Sequence, residues 1–216
     1  MNEEYGICRL SYAKSTLPQN MVFENGDERK VLPIDFAIFL LQSENRKILI
    51  DAGCDTMPGF IMEDFISPKT ALEKIGIRAE EITDVIITHA HHDHIDAVHL
   101  FKNATVYIEE DEYLQGKRYI PAQMSVRTFS KRLQLSENLY IETIGGHSQG
   151  SSVVHLLQDG RHYVFAGDEC YSAECLRTKT PTGSSVDPIK SREFTDKFCA
   201  DTYTVLLAHD KNEIEV

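Results

Sequence analysis

Apolar residues along the chain fall into short runs rather than long helical stripes. Val31–Leu41 is mostly apolar and β-prone, the polar stretch Gln42–Arg46 interrupts it, and Lys47–Asp51 (KILID) resumes it. Two such runs around a short polar break predict an antiparallel hairpin. Phe60–Ile75 has apolar positions at mixed helical spacing and is cut by Pro68, which predicts two short helices. Asp84–Thr88 (DVIIT) has the apolar centre of a short buried strand. Ala104–Ile108, Leu139–Thr143, Ser152–Leu157 and His162–Ala166 read as further strands, Ile189–Ala200 as a helix, and Thr202–Leu207 as a last strand running into Ala208-His209-Asp210.

Strands come first in hairpins and then alternate with helices. That order predicts an α/β fold of two packed sheets with helices outside. No composition shift marks a linker, so residues 1–216 are read as a single domain. A chain of 216 residues can bury a two-layer core without a disulfide or structural metal.

Charge narrows the partners. Lys and Arg number 22 against 34 Asp and Glu, a net charge of −12. An acidic surface repels phosphate backbones and anionic headgroups, which argues against nucleic acid and membrane and for a small-molecule substrate. No stretch approaches the roughly 18 consecutive apolar residues of a membrane span. The N-terminal MNEEYGICRL lacks a basic region followed by an apolar run, so no signal peptide is expected. Cys8, Cys54, Cys170, Cys175 and Cys199 are odd in number, scattered and never spaced as CxxC, which suits reduced thiols in the cytoplasm.

The chemistry concentrates at the end of the DVIIT strand. His89, His91, His92, Asp93 and His94 lie within six residues, in Thr88-His-Ala-His-His-Asp-His-Ile-Asp96. Residues two apart in extended chain point the same way, so His89, His91 and Asp93 can converge, and a following helical turn brings His94 toward the same space. Imidazole and carboxylate together suit borderline divalent ions: zinc first, with manganese or iron as alternatives. Gly145-Gly146-His147-Ser148, Phe165-Ala166-Gly167-Asp168 and Leu206-Leu207-Ala208-His209 each add a ligand-type side chain where a strand gives way to a loop.

An HxHxDH run followed in order by a distant His, Asp and His resembles the metallo-β-lactamase superfamily. The resemblance covers Asp51 to His209 and implies an αββα sandwich of two mixed β-sheets flanked by helices. It places His89, His91 and His147 on one metal and Asp93, His94 and His209 on a second, with Asp168 and a hydroxide bridging them. It implies a binuclear hydrolase in which Asp93 also takes a proton. In Ile48-Leu-Ile-Asp51-Ala-Gly53 the resemblance makes Asp51 a carboxylate behind a ligand histidine; the competing reading is an aspartate that opens a turn before Gly53.

Tyr171, three residues after Asp168, resembles the N-acyl-homoserine lactonase branch, where a tyrosine hydroxyl sits over the substrate carbonyl and can serve the oxyanion or the leaving alkoxide. The other reading is a buried loop aromatic. The ligand set equally resembles glyoxalase II-like thioesterases. It also resembles tRNA 3′-processing phosphodiesterases, against which the charge speaks. The flavodiiron branch puts a glutamate where His91 stands and adds a flavodoxin domain for which 216 residues leave no room.

Several residues stay outside this set. His92 points away from its neighbours if the strand phase holds, and His99, His155 and His162 read as ordinary surface or core residues. The chain has Ile95-Asp96-Ala97 where the family commonly has glycine, so Asp96 either sits in a first helical turn or crowds the site with charge. Lys117, Arg118, Arg127, Lys131 and Arg132 make Lys117–Arg132 basic and free of acids. That segment is open to three readings: a landing for an anionic or amphipathic substrate, a solvated face, or a contact in a homodimer. Phe60, Ile61, Met62, Phe65 and Ile66 read as helix core, or else as walls of an apolar pocket.

Overall fold

The computed structural model describes residues 3–210. Among them, β1 (Gly6–Pro18), β2 (Val31–Gln42), β3 (Lys47–Ile50), β4 (Asp84–Ile87), β5 (Thr105–Glu109) and β6 (Ser125–Phe129) form a six-stranded sheet in that order. β7 (Arg132–Gln134), β8 (Leu139–Thr143), β9 (Ser152–Gln158), β10 (Arg161–Phe165) and β11 (Tyr203–Leu206) form a five-stranded sheet ordered β11-β10-β9-β8-β7. Both are mixed. β2 and β3 are antiparallel while β3 to β6 run parallel; β7 to β10 alternate and β11 lies parallel to β10.

The chain divides into two compact units. Residues 3–15 and 35–129 carry the histidine cluster and are called the motif unit; residues 16–34 and 130–210 are called the C-terminal unit. The core of the motif unit is the KILID and DVIIT pair. Ile48, Leu49, Val85, Ile86 and Ile87 are fully buried, because β4 has a parallel neighbour on each side and both of its faces are covered. The anticipated hairpin forms with Phe39 opposite Ile50 and Gln42 opposite Lys47. In the C-terminal unit, α5 (Ala173–Thr178) and α6 (Pro188–Phe198) accompany the second sheet. Asp187 caps α6 by accepting from the amides of Ile189 and Lys190.

Phe60–Ile75 departs from expectation. Only α2, Pro68–Lys74, is helical. Residues 60–67 form an irregular loop, with Asp64 at a φ of 52°, that bonds to β1: Lys14 and Glu63 exchange amide bonds at 2.9 and 2.7 Å, and Ile66 N–H donates to Tyr12 O at 2.9 Å. Backbone groups satisfied this way have no need of a helix. Met62 is buried and Ile61 is 83% exposed, so this is a loop leaning on a strand and not helix core.

β1, β6, β7 and α4 (Glu110–Gly116) lack a clear apolar period and were not anticipated. The edge strand β6 lies within the basic segment, the edge strand β7 begins at its last residue, and Lys117, Arg118, Arg127, Lys131 and Arg132 are all exposed. Charge on an edge strand discourages pairing with another chain, which favours the solvated-face reading.

Candidate metal centre

In the motif unit the site begins where β4 ends. Asp51 follows β3 with a φ of 62°, a left-handed conformation that a non-glycine residue adopts at a cost. Its amide donates to Ile86 O, and its carboxylate turns to the next strand end. There it accepts from Thr88 N at 2.8 Å, Thr88 Oγ1 at 3.0 Å and His94 Nδ1 at 2.8 Å. An ionised carboxylate can only accept, so the proton of His94 sits on Nδ1 and Nε2 keeps its lone pair.

His89 Nε2 lies 3.0 Å from His91 Nδ1, and His94 Nε2 lies 3.5 Å from Asp93 Oδ2. His89 is fully buried, whereas His91 is exposed and Asp93 half-buried, which leaves one side of the cluster accessible. The backbone is held as firmly as the side chains. Ala90 N–H donates to the buried Glu112 of α4 at 2.7 Å, and the hydroxyl of Tyr12 on β1 donates to Asp93 O at 2.9 Å. α3 (His92–Ile95) then turns His94 inward.

His92 and Asp96 work outside this cluster. His92 Nε2 lies 2.9 Å from Thr56 O. Asp96 accepts from the amides of Asp55 and Thr56 at 3.0 Å each and from Thr56 Oγ1 at 2.9 Å. Asp96 opens the 3₁₀ turn Asp96–Leu100, as a first-turn acid, and its charge is spent on the loop after Asp51.

In the C-terminal unit the candidate ligands come from three strand ends. His147 sits in the glycine turn after β8, where Gly145 has a φ of 73°. Asp168 sits in the 3₁₀ turn Gly167–Glu169 after β10, and His209 follows β11. His147 Nε2 lies 3.4 Å from Asp168 Oδ2, and His209 Nε2 lies 3.0 Å from Asp168 Oδ1. All three are buried. Two imidazole nitrogens aimed at opposite oxygens of one carboxylate are a donor set that fits borderline divalent cations.

Tyr171 packs edge-on to His147, ring centres 6.1 Å apart, and lies 5.0 Å from the His209 ring. Ser184 Oγ lies 3.4 Å from His147 Nδ1 and donates to the Tyr171 hydroxyl at 3.3 Å. Glu169 is completely buried, and that burial pushes its carboxyl up to about 7 against the pull of its hydrogen bonds from Ser151, His147 and Gly146.

His155 and His162 bond to each other at 2.9 Å, and His155 Nε2 meets Glu142 at 3.1 Å. They form a polar network apart from the candidate ligands. Tyr12, Glu112, Glu169 and Ser184 escaped the sequence reading. Only Glu169 left a signal, as the second acid of a doublet at a strand end.

The whole arrangement has known counterparts. An N-acyl homoserine lactone hydrolase, solved with its product N-hexanoyl-L-homoserine at the catalytic metal centre, superposes with a TM-score of 0.83 at 16% identity, covering 98% of this chain and 95% of that one. A dizinc quorum-quenching lactonase superposes with a TM-score of 0.75 at 18% identity, covering 97% and 88%. The chain therefore has the α/β fold of these proteins, two mixed sheets flanked by helices. The family model of the metallo-β-lactamase superfamily matches residues 37–198, and the chain belongs to that superfamily. The hydroxyacylglutathione hydrolase of Fuscovulum blasticum is 26% identical over 128 residues, which make up 55% of this chain and 49% of that protein. The chain spans about half the length of the curated relatives it matches. Among the described residues no helix is long and apolar enough to cross a membrane.

Proposed function

We propose that the protein is a metal-dependent hydrolase of small carbonyl substrates, lactones or esters first. In this reading the two units act as one domain. His89, His91 and His147 would hold one divalent ion and Asp93, His94 and His209 a second, with Asp168 able to serve both. The observation that carries the reading is the split use of Asp168, whose two oxygens address two different histidines as a bridging carboxylate would. Divalent ions held there supply Lewis acidity and an activated water.

The chain's own groups do the rest. Asp93, half-buried and beside His94, receives the proton released on attack. Asp51 keeps His94 in the tautomer that a ligand needs. Tyr171, whose oxygen accepts from Ser184, would donate its phenolic proton toward the oxyanion or the leaving alkoxide. The likeness of fold to lactonases and the placement of Tyr171 beside His147 and His209 favour lactones. A thioesterase is the second reading, favoured by the similarity to a hydroxyacylglutathione hydrolase. The scattered cysteines support a cytoplasmic setting.

Protein purified without chelator should hold two equivalents of zinc, manganese or iron per chain. It should also open lactones ahead of thioesters, phosphodiesters and β-lactams in a panel of matched concentration. A plateau at one equivalent under metal excess would sink the binuclear part. Turnover confined to phosphodiesters would sink the substrate class.

A further inference from the structure

Glu169 follows Asp168 directly in the chain and has no exposed surface. One of its oxygens, Oε1, accepts from the Gly146 amide at 3.1 Å, the His147 amide at 3.2 Å and the Ser151 hydroxyl at 2.5 Å. The turn after β10 is thereby tied to the loop after β8, which lies more than 20 residues earlier in sequence. These two segments carry Asp168 and His147. The clamp is built into the loop's sequence as well. A Cβ at Gly146 would stand 2.4 Å from Glu169 Oε2 and 2.9 Å from the Ser191 backbone nitrogen, so only glycine leaves room for the carboxyl.

We propose that Glu169 is a positioning residue that sets metal affinity by holding the His147 loop at coordinating distance from Asp168. The inference rests on the metal-dependent reading above. Glu169 touches neither ion nor substrate; it acts through the backbone of His147 and through its own neighbour in the chain. Two ligands on separate strand ends would otherwise find each other only when the ion arrives, and ordering them then subtracts from affinity. Groups that orient ligands from behind typically contribute about 10- to 100-fold in metal affinity. The clamp depends on an acceptor oxygen at the right reach, so a glutamine should replace the glutamate, whereas an aspartate, one methylene shorter, should not.

Metal-free wild type, Glu169→Gln, Glu169→Asp and Glu169→Leu are titrated with zinc against a chromophoric chelator. Cobalt(II) spectra and thermal unfolding of each metal-free form are recorded beside them. Glu169→Leu and Glu169→Asp are expected to bind roughly 10- to 100-fold more weakly with an altered cobalt spectrum, while Glu169→Gln stays near wild type. If Glu169→Leu does not fold, Glu169→Asp decides. A folded Asp or Leu variant with wild-type affinity and spectrum overturns the inference and leaves the metal-dependent reading standing. A wild type that takes up no metal overturns both.

Discussion

The two candidate ligand groups are assembled in opposite ways. In the motif unit, His89, His91, Asp93 and His94 come from one continuous segment at the end of β4, and distant residues serve only to hold it. In the C-terminal unit, His147, Asp168 and His209 come from three strand ends, and they meet because β8, β9, β10 and β11 pair in one register. The first group is a local motif stiffened by tertiary contacts; the second exists only as a product of the sheet. A slip of one residue in β10 would turn the β10 side chains to the other face and carry Asp168 away from both histidines, whereas no register shift can separate His89 from His91.

That contrast can be tested from the largest effect downward. Asp93 is proposed to bind a metal and to accept a proton, so Asp93→Asn should lower kcat by roughly 10²- to 10⁴-fold, with a smaller change in KM and with metal retained. Steady-state kinetics beside elemental analysis checks this, and wild-type turnover in that variant would remove Asp93 from the mechanism.

Tyr171 packs beside the assembled group and is proposed to address the substrate. Tyr171→Phe should cost up to about 10²- to 10³-fold in kcat, less where the metals share the load. The loss should be greater for a lactone than for a thioester of the same acyl chain, because an alkoxide gains from protonation and a thiolate departs without it. Equal losses on both substrates would detach Tyr171 from the leaving group.

The supporting residues should differ too. Asp51 holds His94 at 2.8 Å, while Ser184 lies 3.4 Å from His147. Asp51→Ala should therefore weaken zinc binding by about 10- to 100-fold, and Ser184→Ala by distinctly less. Chelator competition on the two variants side by side gives the order, and a reversed order would mean that the local motif is the less dependent on its support.

The smallest effect lies in the C-terminal unit away from the ligands. Burial holds the pKa of both His155 and His162 below the ordinary histidine value, against the raising influence of Glu142. Their folded values lie below the unfolded one. The stability they contribute is thus fully present above the unfolded value of about 6.5 and is lost as pH falls through the folded values. Glu142, lowered chiefly by its bond from His155, works in a more acidic window. Lys197 and Arg132 face the same network and add to the resistance against protonation. Thermal midpoints should fall modestly from pH 7.5 toward 5, and His162→Asn should flatten that slope. An unchanged slope would assign the decline to other groups.

Much of the site was legible because its information is local. A strand end places residues two apart on one side, so Thr88–Asp96 declares a candidate metal cluster wherever the strand happens to lie. The apolar runs KILID and DVIIT likewise announce two strands, though only the structure pairs them in parallel, and Asp168 and His209 stand out as polar residues closing apolar strands. What the tertiary structure alone decided concerns hydrogen bonds between residues far apart in sequence. Residues 60–67 have a helical spacing, yet Glu63 and Ile66 bond to the backbone of Lys14 and Tyr12 on β1 instead of to a helix of their own. Asp96 looked like excess charge until the loop at Asp55 and Thr56 supplied donors for it. Asp51 could open a turn or orient a histidine, and only the arrival of His94, 43 residues on, settled that it does the second. Side-chain chemistry and its local period are written in the chain itself. The partner that satisfies a buried carboxylate is chosen by packing, and packing is a property of the folded whole.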